Sequence, residues 1–322
     1  MTKKKRNKQS EDSFLTNQPV NPSTEYHIPV LLRETMEGLN IKPDGIYVDC
    51  TFGGGGHAAA ILERLNDKGR LYAFDQDEDA AQNLPDDQRI IFIRQNFRHI
   101  QRFLRLEGVD KVDGILADLG VSSHQFDEAE RGFSTRFNAD LDMRMDRRQP
   151  VTAYHIVQTY SEAQLHKLFE QYGEVTNSKT LAKTIVAVRN AASLQTIDGF
   201  KSALHEVVKG NPKKYFAQVF QALRMEANEE IQVLKEMLEQ SVALLRPGGR
   251  IAMITFHSIE DRVVKNFFRD GSFEEKEEHP FINTKRNEVL RAITKKPVTA
   301  AAEELKLNPR SRSAKLRVAE RM

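Results

Sequence analysis

The chain has 322 residues, 39% of them hydrophobic, with a single cysteine and a formal net charge of +2. That is enough apolar material for one large core or two modest ones, while the lone Cys50 excludes a disulfide framework and a cysteine-based zinc site. With no long apolar run and no signal peptide ahead of the first strand, a soluble, cytoplasmic protein with no membrane partner and no metal is expected.

Residues 1–24 are polar, begin Met1-Thr2-Lys3-Lys4-Lys5-Arg6 and lack periodicity, which predicts a disordered basic tail. From Tyr26 onward, strands and helices alternate. A helix around 30–39 precedes a strand at 45–48. A glycine-rich turn and a helix at 58–65 follow, then a second strand at 71–74 ending on Asp75 and a helix at 78–84. A third strand at 90–93, a helix at 98–107 and a fourth strand at 112–117, ending on Asp118, complete the series. Repeated βα units predict a parallel sheet with helices on both faces and ligands at the carboxyl ends of its strands, where Asp49, Asp75, Asn96 and Asp118 all fall.

From 140 to 224 helical signals dominate. Ser161-x-x-Gln164 reads as a capping box opening a helix to Tyr172, with Gly173 at its end. Further helices fit 178–190, 200–209 and 215–224. Residues 140–224 are therefore expected to form an all-helical domain inserted into an α/β sheet domain made of 25–139 and 225–322. The sheet pattern resumes after an amphipathic helix in which Ile231, Leu234, Leu238 and Leu245 share a face. Arg246-Pro247-Gly248-Gly249 stops that helix, 251–256 forms a fifth strand and 315–319 a last one. From Lys285 to Arg321, eleven Lys or Arg stand against four Glu, a bias suited either to a polyanionic partner or to a solvated charged surface.

The turn Asp49-Cys50-Thr51-Phe52-Gly53-Gly54-Gly55-Gly56-His57 is the most informative segment. Glycines at a strand-to-helix turn let the backbone approach a ligand that any Cβ would exclude. Asp75 can accept hydrogen bonds from both hydroxyls of a ribose, so the two features together describe a pocket for an adenosine-type cofactor. Gly53, Gly55 and Ala58 also satisfy the loose G-x-G-x-x-G/A pattern of NAD enzymes. Asp49 favours S-adenosyl-L-methionine, because its carboxylate attracts that donor's amino group and sulfonium and repels a pyrophosphate. Asp118-Leu119-Gly120-Val121-Ser122-Ser123 follows the fourth strand, where donor and acceptor would meet. A conjugated exocyclic amine is a poor nucleophile, and a carboxylate accepting its N–H bonds can orient it and ease proton loss. Asp118 is therefore the candidate for donor binding and acceptor positioning, with capping of the following turn as its structural alternative.

The blocks Thr51-Phe52-Gly53-Gly54-Gly55-Gly56-His57, Asp118-Leu119-Gly120-Val121-Ser122-Ser123, Glu130-Arg131-Gly132-Phe133-Ser134, Leu141-Asp142-Met143-Arg144-Met145-Asp146, Phe256-His257-Ser258-Ile259-Glu260-Asp261-Arg262 and Asn308-Pro309-Arg310-Ser311-Arg312-Ser313 closely resemble the bacterial small-subunit rRNA cytosine-N4 methyltransferases (the RsmH, or MraW, family). The resemblance is collinear from Tyr26 to Arg321. It implies a Rossmann-like class I S-adenosylmethionine-dependent methyltransferase sheet interrupted by a helical domain. It also implies methyl transfer to N4 of a cytidine in the decoding region of 16S rRNA, within the small ribosomal subunit, and leaves monomer and homodimer open.

Carried over residue by residue, the resemblance places the donor on Gly55, Gly56, His57, Asp75, Phe97, Asp118 and Gln125. Gly55 to His57 would offer backbone groups to the methionine end, Asp75 would take the ribose hydroxyls, Phe97 would pack on the adenine and Gln125 would line the wall. The Asp-Pro-Pro-Tyr of other amino-methylating enzymes is missing at Asp118, so Phe126 or Phe133 is the candidate for stacking on the base, against plain core packing. Ser258-x-x-Asp261 fits a capping box, with His257 just ahead of it at the ligand edge. Arg144, Arg147 and Arg148 are placed to grip phosphates, whereas Arg98, Arg102 and Arg105 fit a solvated helix face. Two further readings stand beside the methyltransferase: an NAD-dependent oxidoreductase, and a catalytically inactive RNA-binding assembly factor.

Overall fold

The computed structural model describes residues 29–273 and 289–322. The tail over 1–24 and the start of the C-terminal basic run lie outside the described residues. One sheet contains β1 (Ile46–Asp49), β2 (Arg70–Phe74), β3 (Ile90–Ile93), β4 (Val112–Asp118), β5 (Leu245–Thr255), β6 (Leu290–Ala292) and β7 (Lys315–Arg321), in the order β3-β2-β1-β4-β5-β7-β6. Strands β1 to β5 pair in parallel, and β7 runs antiparallel to both β5 and β6. This is the Rossmann-like α/β sheet anticipated above. Its strand order reverses between β1 and β4, so the carboxyl ends of β1, β2 and β4 surround the crevice where such sheets bind ligands.

The period of two along each strand explains why both faces are covered. Val48, Tyr72, Phe74, Ile115 and Met253 pack on one side with Leu104, Leu238 and Phe267. Tyr47, Leu71, Ala73, Leu116 and Ile254 pack on the other with Leu39 and Ile61. Between β4 and β5 come helices Ala153–Thr159, Glu162–Gln171, Ser178–Val188, Ile197–Ala203 and Pro212–Ala227. Their apolar sides share a third cluster with Phe133, Leu141, Met143 and Met145. Glu162–Gln171 opens on the anticipated capping box: Gln164 N donates to Ser161 Oγ at 3.3 Å and Ser161 N to Gln164 Oε1 at 2.9 Å.

Several local details depart from expectation. The left-handed residue after that helix is Glu174 (φ 50°), not Gly173. Gly173 is required because a Cβ there would stand 2.9 Å from the carbonyl oxygens of Phe169 and Gln218. Arg246-Pro247-Gly248-Gly249 does not divide helix from strand. Helix Glu230–Leu244 ends earlier, β5 starts at Leu245, and the register shifts between Val112 and Gly114 of β4, so the turn residues form an irregularity inside the strand. Arg98 is not on a solvated face. Its Nε and Nη2 donate to Glu236 at 2.8 and 2.9 Å and its Nη1 pairs with Glu229, which ties it to helix Glu230–Leu244. Among the described residues, four of the eleven Lys and Arg in the C-terminal run form ion pairs within the fold, Lys315 and Arg317 on Asp261, Arg291 on Glu320 and Arg310 on Asp127. No described helix is long and apolar enough to cross a membrane.

Candidate active site

β1 ends on Asp49, and the chain turns through the glycines into helix Gly56–Leu62. Gly55 adopts φ 75°, the left-handed conformation that closes the turn. Gly56 needs to be glycine for a different reason: its Cβ would lie 2.3 Å from Pro29 Cγ, so packing and not ligand approach excludes a side chain. Gly54 has nothing within 4 Å of that position and presents the open face of the turn. The neighbouring strand ends hold the turn in place. Gly53 N donates to Asp75 Oδ2 at 2.8 Å, and Asp118 N donates to Thr51 Oγ1 at 2.7 Å.

Asp49, Asp75 and Asp118 thus stand at three adjacent strand ends. Asp49 is 1% exposed; its Oδ1 accepts from Thr51 N at 3.0 Å, and its Oδ2 is buried with no partner among the described residues. Asp118 Oδ1 is buried and unpartnered in the same way. Asp75 accepts one backbone N–H at each oxygen, from Gly53 and from Asp77 (2.9 Å), which leaves further lone pairs on both. Burial, reinforced by carboxylate repulsion, pushes Asp49 up to about 7 and Asp75 up to about 6, and burial raises Asp118 well above the usual carboxylate range, helped by the nearby charges of Asp49 and Glu260. Three acids at one crevice, two of them with orphaned oxygens, suit a cationic ligand.

His57 is 7% exposed. Its Nε2 lies 3.0 Å from Val30 O, which can only accept, so Nε2 carries the proton and Nδ1 faces Asp118 Oδ2 bare at 3.8 Å. Burial pulls its pKa down to about 4. The neutral ring braces the glycine helix against the preceding segment and is no titrating base near pH 7. Gln125 is fixed from within. Its Oε1 accepts from Ser122 N at 3.1 Å in a capping box, and its Nε2 donates to Asp77 Oδ2 at 2.7 Å, leaving one N–H. Phe97 is half-buried at the head of the turn after β3 and packs against the sheet.

Beyond Asp118 opens a cavity of 230 Å³, lined by Leu119 to Ser122, Phe126, Arg224, Phe256 and Arg310. The two stacking candidates separate here. Phe126 lines the cavity with the guanidinium carbons of Arg136 and Arg310 at 5.7 and 5.6 Å from its ring centroid, whereas Phe133 is 7% exposed within the helical cluster. The capping box expected at Ser258 and Asp261 does not form. His257 is the N-cap, accepting from Glu260 N, and the Glu260 carboxylate returns to Phe256 N at 2.9 Å. Asp261 instead pairs with Arg317. Arg144 and Arg148 clasp Asp142 and Asp146 in their own loop, so of the three basic residues only Arg147 is exposed without an ion pair among the described residues.

Sequence reasoning missed Arg131 and Arg224. Arg131 lay within a quoted block, but its spacing gave no sign that it would be 3% exposed and bound to Asp77.

The sequence profile of the MraW methylase family matches residues 24–322. The chain is 52% identical to the ribosomal RNA small subunit methyltransferase H of Flavobacterium johnsoniae over 92% of this chain and 98% of that protein. It is 51% identical to the enzyme of the same name from Parabacteroides distasonis, over the same shares.

Proposed function

This chain belongs to the MraW methylase family, and we propose that it transfers a methyl group from S-adenosyl-L-methionine to N4 of a cytidine in the decoding region of 16S rRNA. The observation that carries this reading is the pair of buried, unpartnered carboxylate oxygens, Asp49 Oδ2 and Asp118 Oδ1, beside a glycine turn. They fit a donor bearing an ammonium and a sulfonium, and they disfavour the pyrophosphate of NAD. Bound there, the donor supplies an electrophilic methyl on positively charged sulfur. Asp49 and Asp118 counter that charge, Asp75 holds the ribose, the backbone of Gly55, Gly56 and His57 meets the methionine end, Phe97 covers the adenine and Gln125 closes the wall.

Asp118 accepts an N–H of the cytosine amine, which points the N4 lone pair at the methyl, and takes the proton that N4 releases as its new bond forms. A carboxyl whose surroundings raise its proton affinity suits that second task. Phe126 stacks on the base. Residues 140–224, an inserted helical domain, recognise RNA within the small subunit, and the enzyme works in the cytoplasm where subunits are assembled. The test is methylation of small subunits from a strain lacking this protein, followed by mass mapping. One new N4-methylcytidine in the decoding region is expected, and a methyl on C5, or none on the rRNA, overturns the reading.

Two variants sharpen it. Asp75→Ala weakens donor binding by about 2 kcal/mol, through loss of charge-assisted hydrogen bonds to the ribose. Calorimetry checks this, and unchanged affinity in the folded variant removes Asp75 from the site. Methylation at C5 needs a cysteine to add to the ring. Cys50 is 1% exposed in the sheet core and its thiol is pushed up by burial, so Cys50→Ala keeps activity within about tenfold, or 1.4 kcal/mol in the barrier. A dead Cys50→Ala enzyme with intact fold and donor affinity contradicts direct attack by N4.

A further inference from the structure

One polar side chain in the cavity beyond Asp118 has no part in the chemistry above. Arg224 sits in the last turn of helix Pro212–Ala227, with Nε 2.8 Å from Glu230 Oε1 and Nη2 2.9 Å from Glu230 Oε2. Both partners are largely buried, with side chains 18% and 10% exposed. The fork fixes the plane of the guanidinium, because two parallel N–H···O bonds define both its position and its tilt. Both Glu230 oxygens are engaged by it. Glu230 is braced in turn beside His257 and Glu260, whose ligand-type atoms gather with its own within 4.8 Å, and His257 Nε2 lies 3.0 Å from Glu260 Oε1. Among the described residues Nη1 is the one Arg224 nitrogen with no acceptor in the protein. A rigid donor with free N–H groups, in the wall of a mostly apolar cavity that begins at Leu119, the residue after Asp118, is a reading head for a ring with an acceptor next to an amine.

We propose that Arg224 selects the pyrimidine, its Nη1 donating to N3 of the target cytosine while Asp118 accepts from the N4 amine. This rests on the cytosine-N4 reading above. Cytosine offers an acceptor at N3 and a donor at N4, matching one guanidinium and one carboxylate. Uracil reverses both, setting N3–H against Nη1 and O4 against Asp118, so it is refused at two points. Phe126 and Phe256 hold the ring by its faces and carry none of this discrimination, since stacking is tolerant of base identity.

The experiment uses small subunits assembled from rRNA whose target cytidine is replaced by 3-deazacytidine, which has C–H where N3 was. Single-turnover methylation at saturating donor is compared for the wild type and Arg224→Lys on natural and substituted subunits. The wild type is expected to lose at least about tenfold on the analogue, the effect of one hydrogen bond to a charged donor. Arg224→Lys is expected to lose a similar factor on natural subunits and nothing further on the analogue, because the same contact is already gone. Any change in intrinsic amine reactivity is common to both proteins and drops out of the comparison. Donor affinity, read by calorimetry, stays unchanged in Arg224→Lys. Losses that multiply show that Arg224 acts only through the fold and overturn the proposal. Wild-type turnover of the analogue at the natural rate overturns it without the variant, even if Arg224→Lys fails to fold. A wild type that leaves N4 of cytidine unmethylated on natural subunits overturns the parent reading first, a separate result.

Discussion

Asp118→Ala is expected to lower the single-turnover rate of methyl transfer at least about a hundredfold at saturating donor, the lower range for removing a positioned polar group. The backbone role of Asp118 survives the change, because it is its N–H that donates to Thr51 Oγ1, so β4 stays joined to the glycine turn. The side chain itself stabilises nothing in the free protein. Its Oδ1 is orphaned, and burial, Asp49 and Glu260 all oppose its ionisation. A group whose folded pKa lies above its unfolded value costs stability wherever the unfolded chain would ionise it, here from the ordinary carboxylate range upward. Truncation therefore leaves the melting temperature at neutral pH unchanged or higher while activity collapses. Asp118→Asn separates the two tasks, since a carboxamide oxygen still accepts an N–H but cannot take the proton. It should fall between wild type and Asp118→Ala. A loss below tenfold in Asp118→Ala, with the fold intact, removes this residue from the chemistry.

The parts of the site legible in the sequence are those set by short-range rules. A strand, a run of glycines and a helix fix the local backbone, and the acids Asp49, Asp75 and Asp118 terminate strands whose apolar periodicity is unmistakable. Parallel pairing then brings them together, because the connections between parallel strands leave few orders available. What stayed hidden depends on partners far along the chain. Arg98 looked solvated because Glu236, 138 residues away, is invisible to a helical-wheel argument. Asp261 looked like a helix cap because Arg317, 56 residues on, gives no local sign of claiming it. His257 gives no local sign of capping because serine is the commoner cap, although an imidazole Nδ1 lone pair accepts a backbone N–H as well. Strand β6, three residues long, is held by pairing with β7 and has too few positions to show a period. The cavity walled by Phe126 and Arg224 forms only when Phe256 and Arg310 arrive from the far end of the chain.

Arg131→Met is expected to carry the largest stability cost, about 3–5 kcal/mol, the range for removing one partner of a buried ion pair. Arg131 is 3% exposed, with Nη1 2.8 Å from Asp77 Oδ2 and 3.2 Å from Asp79 Oδ2. Its Nη2 donates to the carbonyl oxygens of Met145 at 3.0 Å and Arg144 at 3.3 Å. One guanidinium thus joins the loop after β2 to the segment that leads into the helices. Methionine fills much of the volume but leaves Asp77, 6% exposed, as a buried charge whose remaining side-chain support is the Gln125 amide. Denaturant unfolding of Arg131→Met, Asp77→Asn and the double variant measures the coupling, and the double variant should recover part of the loss because no uncompensated charge remains. A cost under about 1 kcal/mol for Arg131→Met, the level of an exposed pair, would sink this account. The consequence reaches the donor site through one further bond. Asp77 N donates to Asp75 Oδ1 at 2.9 Å, so a loop released by the loss of Arg131 lets the Asp75 carboxylate, proposed above to hold the ribose, drift. Donor affinity should then fall in Arg131→Met although the arginine is engaged entirely by protein acceptors.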